Sequence, residues 1–122
     1  MANILVVDDS VAIRSLISTI LDKCGHNIFL ANDGTQGISM AKWHQPDIVI
    51  TDIIMPNVDG FEFIQQLLRL NISTKIIAIS GSMSSYTDIA LETAKLFGTF
   101  GTLRKPISEN DLLKLVNLAL ST

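Results

Sequence analysis

Residues 4–9 read ILVVDD, a short apolar run that ends in two aspartates. Similar apolar runs occupy residues 28–30, 48–50, 76–79 and, more weakly, 100–103. Within each run neighbouring residues are both apolar, whereas a strand with one face in water would alternate apolar and polar residues. Continuous runs are typical of parallel strands that helices cover on both faces. The pattern predicts a parallel sheet of five strands.

Helical segments separate the apolar runs. We expect them at residues 11–23, at 34–44, after Gly60, at 84–97 and after Ser108, a typical N-cap residue. Apolar residues within them recur at three- and four-residue spacing, the period of a helix with one buried face. The side chains expected on the buried faces are Ile13, Leu16, Ile17, Ile20, Leu21, Phe61, Phe63, Ile64, Leu67, Leu68, Leu112, Leu115, Val116 and either Leu118 or Ala119. Trp43, near the end of the second segment, is expected to be partly buried.

The alternation of strands and helices predicts one α/β domain over residues 1–122, with no output domain. Parallel strands need crossover helices, and these crossovers are right-handed in almost all proteins. The expected architecture is a doubly wound, flavodoxin-like three-layer sandwich with five helices and the strand order 2-1-3-4-5.

Polar side chains follow four of the predicted strands. Asp8 and Asp9 follow the first strand, Asp52 the third, Ser80 the fourth and Lys105 the fifth. Ligands of open α/β sheets bind at the carboxyl ends of the strands, where the strand order reverses. In the order 2-1-3-4-5, the first and third strands are neighbours at that point. The three aspartates are therefore predicted to converge in one crevice.

Three carboxylates in one crevice repel one another. At a separation of ~4 Å and an effective dielectric constant of ~20, each pair costs ~4 kcal/mol. A divalent cation removes that cost, and ligands that are all oxygens favour Mg²⁺ over Zn²⁺. Taken alone, Asp9 is equally well explained as a turn or N-cap residue, and Ser80 and Lys105 as surface groups. Their joint occurrence at successive strand ends is what indicates a site.

Four blocks of this sequence resemble the signature blocks of response-regulator receiver domains in two-component signalling. They are VVDDS at 6–10, ITDIIMP at 50–56, ISG at 79–81 and RKP at 104–106. The blocks have the family's order and spacing, and the resemblance covers essentially the whole chain. It implies a switch similar to the single-domain chemotaxis regulators. Such a protein accepts a phosphoryl group and changes its partner-binding surface, and it is not an enzyme acting on a separate substrate.

The resemblance also implies how a phosphoryl group would be held. Asp52 would be the phosphoacceptor, and the donor would be a histidine kinase or a phosphotransfer protein. Ser80 would hydrogen-bond the phosphoryl group. Lys105 would pair with a phosphoryl oxygen, and its peptide bond to Pro106 would be cis.

The metal site that the resemblance implies holds Mg²⁺ as cofactor. Asp9 would be a direct ligand, and Asp8 would act partly through water. The remaining protein ligands would be Asp52 and the main-chain carbonyl of Ile54.

One position departs from the family pattern. Many receivers carry Tyr or Phe three residues before the lysine, a ring that moves inward on activation, and here that residue is Thr102. We expect Phe100 to belong to the core. The resemblance places the surface for a downstream protein on the fourth helix, the fifth strand and the fifth helix. Arg104 shares a strand face with Thr102, so it is either a partner contact or a solvated charge. The resemblance also allows a homodimer at this surface.

Two enzyme or cofactor-binding classes share part of this pattern. Phosphatases of the dehalogenase type use a strand-end aspartate with Mg²⁺, but they carry a second aspartate two residues later, where this chain has Ile54. Flavin-binding flavodoxins need an anion-binding turn after the first strand. Asp8 and Asp9 would repel a phosphate there, so both classes are disfavoured.

The composition excludes several other classes. The 122 residues are 48% hydrophobic and 17% charged, which is too apolar for a disordered chain. The net charge of −3 and the lack of a basic stripe argue against direct nucleic-acid binding. No apolar run reaches the ~20 residues of a membrane helix, and the first residues lack a signal-peptide pattern. The single cysteine, Cys24, allows no internal disulfide, so we expect a cytoplasmic protein.

Overall fold

A five-stranded parallel sheet forms the centre of the molecule. The computed structural model describes residues 1–53, 60–70, 73–81, 92, 95 and 98–122. The strands lie in the order β2-β1-β3-β4-β5, and all neighbouring strands are parallel. The predicted fold class and strand order are therefore confirmed. The strands are β1 (Asn3–Val7), β2 (Asn27–Ala31), β3 (Ile48–Asp52), β4 (Lys75–Ser80) and β5 (Gly101–Arg104).

Helices cover both faces of this sheet. Within the ranges that the structure describes they are α1 (Val11–Asp22), α2 (Gly34–His44), α3 (Gly60–Arg69) and α4 (Glu109–Leu120). Of the fourth predicted helix, at 84–97, only Glu92 and Lys95 are among the described residues. No helix in the described part of the chain has the length and apolar character needed to span a bilayer.

Alternate residues of each strand supply two apolar cores, one on either face of the sheet. The α1 and α4 helices close one core, which contains Ile4, Val6, Ile17, Ile20, Leu21, Ile48, Ile50, Ile77, Ile79, Leu112 and Val116. The α2 and α3 helices close the other, which contains Leu5, Val7, Ala41, Val49, Phe63, Ile64 and Leu67. This arrangement explains the continuous apolar runs of the central strands, because both faces of β1, β3 and β4 are covered.

Three side chains that we expected to be buried or partly buried lie at the surface. Leu16 is 42% exposed, Leu68 is 55% exposed and Trp43 is 84% exposed. Each helix contacts the sheet along a narrow strip of its surface. Ile17, next to Leu16, and Leu67, next to Leu68, lie in these strips and are buried. A broad apolar stripe in sequence therefore overstates what one sheet face can cover, and these three predictions were wrong.

The predicted N-cap of the last helix is confirmed, because the Ser108 Oγ accepts a hydrogen bond from the Asp111 N–H at 3.3 Å. We expect Ser108→Ala to lower the free energy of unfolding by about 1 kcal/mol, measured by urea denaturation. Ser15→Ala, at an exposed position inside α1, is the matched control and should not destabilise the protein, since alanine is the better helix former. Equal losses in the two variants would contradict the capping role.

Candidate functional site

Three aspartates meet at the carboxyl end of the sheet, where β1 and β3 lie side by side. Carboxylate oxygens of Asp8, Asp9 and Asp52 all lie within 4.8 Å of one another. Asp8 and Asp52 are buried, whereas Asp9 is exposed. The structure thus brings the three carboxylates together at the point that the strand order predicts.

Asp8 is held in place from several sides. Its main-chain N–H donates to the Ala31 carbonyl at 3.1 Å, and its Oδ1 accepts from the Ser10 N–H at 2.8 Å. Its carbonyl accepts a hydrogen bond from the Arg14 guanidinium at 2.5 Å. These contacts anchor Asp8 to β2 and to the start of α1. The exposed Asp9 takes no part in them. The sequence did not indicate the part played by Arg14.

Lys105 places one positive charge between two of the carboxylates. Its Nζ lies 3.0 Å from the Asp8 Oδ2 and 3.2 Å from the Asp52 Oδ2. Burial of the ammonium lowers the pKa of Lys105, but the hydrogen bond and charge of Asp8 and the charge of Asp52 outweigh burial, so the pKa is raised. The lysine is therefore protonated at neutral pH, and its ammonium contacts two of the three carboxylates.

The path of the Lys105 side chain depends on a glycine. A Cβ added to Gly81 would lie 2.7 Å from the Lys105 Cδ, so any larger residue would collide with the stem of the lysine. The Lys105 N–H donates to the Ser80 carbonyl at 2.9 Å, and the Lys105–Pro106 peptide bond is cis. The position of Gly81 directly after Ser80 is the sequence signal that could have indicated this role.

The Ser80 hydroxyl is buried at the same edge of the sheet. Asp52 pairs with Ile79 in the register of β3 and β4, so Ser80 lies one residue beyond that pair. Within the described residues, the Ser80 Oγ has no hydrogen-bond partner. A buried hydroxyl without a partner is unfavourable, so this oxygen has capacity to bind a ligand atom.

The donor set suits a hard divalent cation. All three side chains offer carboxylate oxygens, and oxygens bound to one Mg²⁺ at ~2.0–2.1 Å lie at most ~4.2 Å apart. The spread of 4.8 Å between these oxygens needs only small side-chain rotations to reach that geometry. Ile54, whose carbonyl was expected to complete the set, lies outside the described residues.

A cleft of about 550 Å³ lies beside β5. Thr102, Leu103 and Arg104 all line it. Lys105 also lines it and contacts two of the carboxylates. Phe100 packs against the core that α1 and α4 close, so its predicted core position is confirmed.

The sequence profile of the response regulator receiver domain matches residues 4–117. The chain belongs to the response regulator receiver family. Receiver domains of two-component systems are phosphoacceptors and are not enzymes in the usual sense. The resemblance of the four sequence blocks is thereby confirmed.

Single-domain relatives match this receiver domain over nearly their whole length. Protein PilH of Pseudomonas aeruginosa is 33% identical over 121 residues, which are 99% of each chain. Chemotaxis protein CheY of Bacillus subtilis is 32% identical over 121 residues, which are 97% of each chain. The receiver domain is thus similar to proteins that consist of little else.

Solved structures agree with the receiver fold. The chemotaxis protein CheY4 of Vibrio cholerae superimposes with a TM-score of 0.86 at 30% identity and covers 98% of both chains. A receiver domain protein from Clostridium thermocellum gives a TM-score of 0.89 at 28% identity, over 99% of this chain and 95% of the other.

Proposed function

We propose that this receiver domain is a phosphorylation-dependent signalling switch in which Asp52 accepts the phosphoryl group. The observation that carries the proposal is the buried Asp52 carboxylate, 3.2 Å from the Lys105 ammonium and grouped with two further aspartates. Asp52 ends β3, which lies between β1 and β4. Groups from both neighbouring strands can therefore reach a phosphoryl group on Asp52.

The proposed transfer needs positioning and charge neutralisation more than acid or base groups. A carboxylate oxygen of Asp52 attacks phosphorus in line and forms the new P–O bond. The P–N bond of the donor phosphohistidine breaks, and the histidine nitrogen leaves with the bonding electrons. The Lys105 ammonium neutralises a phosphoryl oxygen, and the Ser80 hydroxyl donates a hydrogen bond to another. Water later hydrolyses the acyl phosphate and resets the switch.

The proposed cofactor is Mg²⁺. Asp9 and Asp52 would bind it directly, Asp8 would bind it partly through water, and the carbonyl of Ile54 would complete the protein ligands. When bound, Mg²⁺ neutralises negative charge on the phosphoryl oxygens. The oxygen-only donors and their mutual distances support this choice of metal.

The proposed partners act before and after phosphorylation of Asp52. A sensor histidine kinase or a phosphotransfer protein supplies the phosphoryl group. A downstream protein, or a second copy, reads the result on the surface formed by the predicted helix at 84–97, β5 and α4, where Arg104 lines the cleft. We further propose that residues 1–122 act as one domain in the cytoplasm, without contacting nucleic acid or membrane.

Incubation with acetyl phosphate and Mg²⁺ tests the proposed function. We expect intact-mass spectrometry to show one added phosphoryl group on the wild-type chain. The adduct should be absent when EDTA removes the metal, because three carboxylates and one lysine would leave the site too negative for a phosphate. A wild-type chain that stays unmodified in Mg²⁺ would refute the proposal.

The metal site can be tested without any phosphoryl group. Mg²⁺ at 100 times its dissociation constant should stabilise the wild type by about 2.7 kcal/mol in urea denaturation. Asp9→Asn should lose most of this gain, yet it should be at least as stable as the wild type in EDTA, because one repulsive carboxylate is gone. Asp22→Asn, at an exposed position on α1, should keep the full gain. If Asp9→Asn were stabilised by Mg²⁺ as much as the wild type, Asp9 would not be a ligand of the metal.

A further inference from the structure

The strand β2 forms one edge of the sheet and has no charged side chain to protect it. Its sequence is NIFLA, and it pairs with β1 alone among the strands that the structure describes. Natural proteins usually protect such edges with lysine, proline, a bulge or a covering segment. An edge that carries only apolar and amide side chains is suited to pairing with another strand.

The outward-facing hydrogen-bonding groups of β2 can be assigned. The Asn27 N–H donates to the Ala2 carbonyl, and the Ala31 carbonyl accepts from the Asp8 N–H, so the main chains of Asn27 and Ala31 face β1. Because the direction alternates along a strand, the main-chain groups of Ile28 and Leu30 face outward.

Apolar side chains flank this edge on both faces of the sheet. Leu30 is 40% exposed on the face that α1 covers. On the other face, the Phe29 ring stacks on His44 with 3.9 Å between ring centroids, which places the end of α2 beside β2. Trp43 is 84% exposed there and lines a groove of about 520 Å³ together with Met40.

We propose that two copies of this chain associate through β2, in an antiparallel pairing about a two-fold axis. Pairing between the outward-facing residues sets Ile28 of each copy opposite Leu30 of the other, and each such pair exchanges two hydrogen bonds. The two Phe29 residues then lie opposite each other at the axis. Leu30 gains an apolar neighbour, and both Trp43 rings lie next to the new interface.

The charges on α2 favour a second copy over an unrelated strand. A crossover helix runs antiparallel to its strands, so a two-fold axis at β2 also sets the two α2 helices antiparallel. Asp33 caps the start of α2, and Lys42 and His44 occupy its last turn. The acidic end of each helix therefore faces the basic end of the other. This self-complementarity is what an interface between identical copies requires.

The proposed interface is separate from the phosphorylation chemistry. The strands β1, β3 and β4 lie between β2 and β5, so the pairing uses the edge opposite the cleft beside Arg104. Association through β2 can therefore fail without bearing on Asp52, and the reverse also holds.

Sedimentation equilibrium of the full chain over a range of concentrations tests the proposal. We expect the mass to rise from monomer to dimer. Emission of Trp43, the one tryptophan in the chain, should shift to shorter wavelength along the same concentration curve as its ring leaves water. Leu30→Lys should raise the dimer dissociation constant by at least about tenfold, because it places a lysine on the edge. Lys42→Glu should also weaken the dimer, because it sets a second acid against Asp33.

The matched control is Leu68→Lys, which changes an exposed leucine on α3. It should leave the dimer dissociation constant unchanged, and circular dichroism should show that all variants keep the fold. A wild-type chain that stays monomeric at all concentrations would overturn the proposal. So would a dimer that Leu30→Lys and Lys42→Glu leave intact, or binding of an added β-strand peptide by a chain that does not self-associate.

Discussion

Asp52→Asn is expected to abolish phosphoryl transfer from acetyl phosphate in Mg²⁺, leaving the chain at its unmodified mass. An amide is not a nucleophile toward phosphorus, and the substitution also removes one of the three negative charges that would hold the metal. The side chain keeps its size, so the fold around the buried position should persist. Intact-mass spectrometry measures the outcome, and circular dichroism checks the fold.

Asp22→Asn provides the control for this experiment. It makes the same chemical change at an exposed position on α1, outside the acidic cluster. That variant should be phosphorylated at the wild-type rate. If Asp52→Asn still acquired a phosphoryl group at that rate, the acceptor would be another residue, and peptide mapping would identify it.

Gly60→Ala is expected to produce the largest loss of stability among the substitutions considered. A Cβ at Gly60 would lie 2.3 Å from the Ile53 Cα and 2.5 Å from the Asp52 carbonyl oxygen. Both atoms belong to the backbone and cannot rotate aside, so the start of α3 would have to move away from the end of β3. Such overpacking costs about 3 kcal/mol or more in the free energy of unfolding. Urea denaturation measures the loss.

Gly101→Ala is the matched control for Gly60→Ala. A Cβ at Gly101 would meet the Leu115 Cδ1 at 2.6 Å, but that atom ends a side chain that can rotate. Alanine also fits a strand better than glycine. We therefore expect a much smaller loss for Gly101→Ala, and equal losses in the two variants would contradict the backbone collision. Because Gly60 adjoins Asp52, Gly60→Ala should also slow phosphorylation.

The parallel sheet followed directly from the sequence. Continuous apolar runs require cover on both faces, and that condition is met by few architectures. Helices between successive runs then favour parallel pairing. In the order 2-1-3-4-5, one of the common orders of such sheets, the strand order reverses beside Asp52, so the crevice there could be predicted.

The orientation of individual side chains could not be predicted to the same degree. Leu16 and Leu68 belong to apolar stripes, but the contact line of each helix on the sheet leaves them outside. Trp43 was expected to be partly buried and is exposed beside the edge strand. Burial depends on how helices and strands pack against one another. The apolar pattern of one helix contains no information on the element that it packs against.

The functional site also combines features that the sequence predicted with features that only packing decided. Asp8 and Asp9 are adjacent in sequence and chemically identical, yet Asp8 is buried and anchored by Ser10, Arg14 and Lys105, and Asp9 is exposed. Successive residues at a strand end point in different directions, so only the packed structure distinguishes them.

The sequence alone determined the fold class and the groups that stand at the carboxyl ends of the strands, because these follow from local patterns and from rules of chain connection. The strand order was taken from the common orders of doubly wound sheets. Tertiary structure decided which carboxylates Lys105 contacts, why Gly60 and Gly81 must be glycines, and which edge of the sheet remains unprotected. Those features depend on distances between residues far apart in the chain, and such distances exist only after packing.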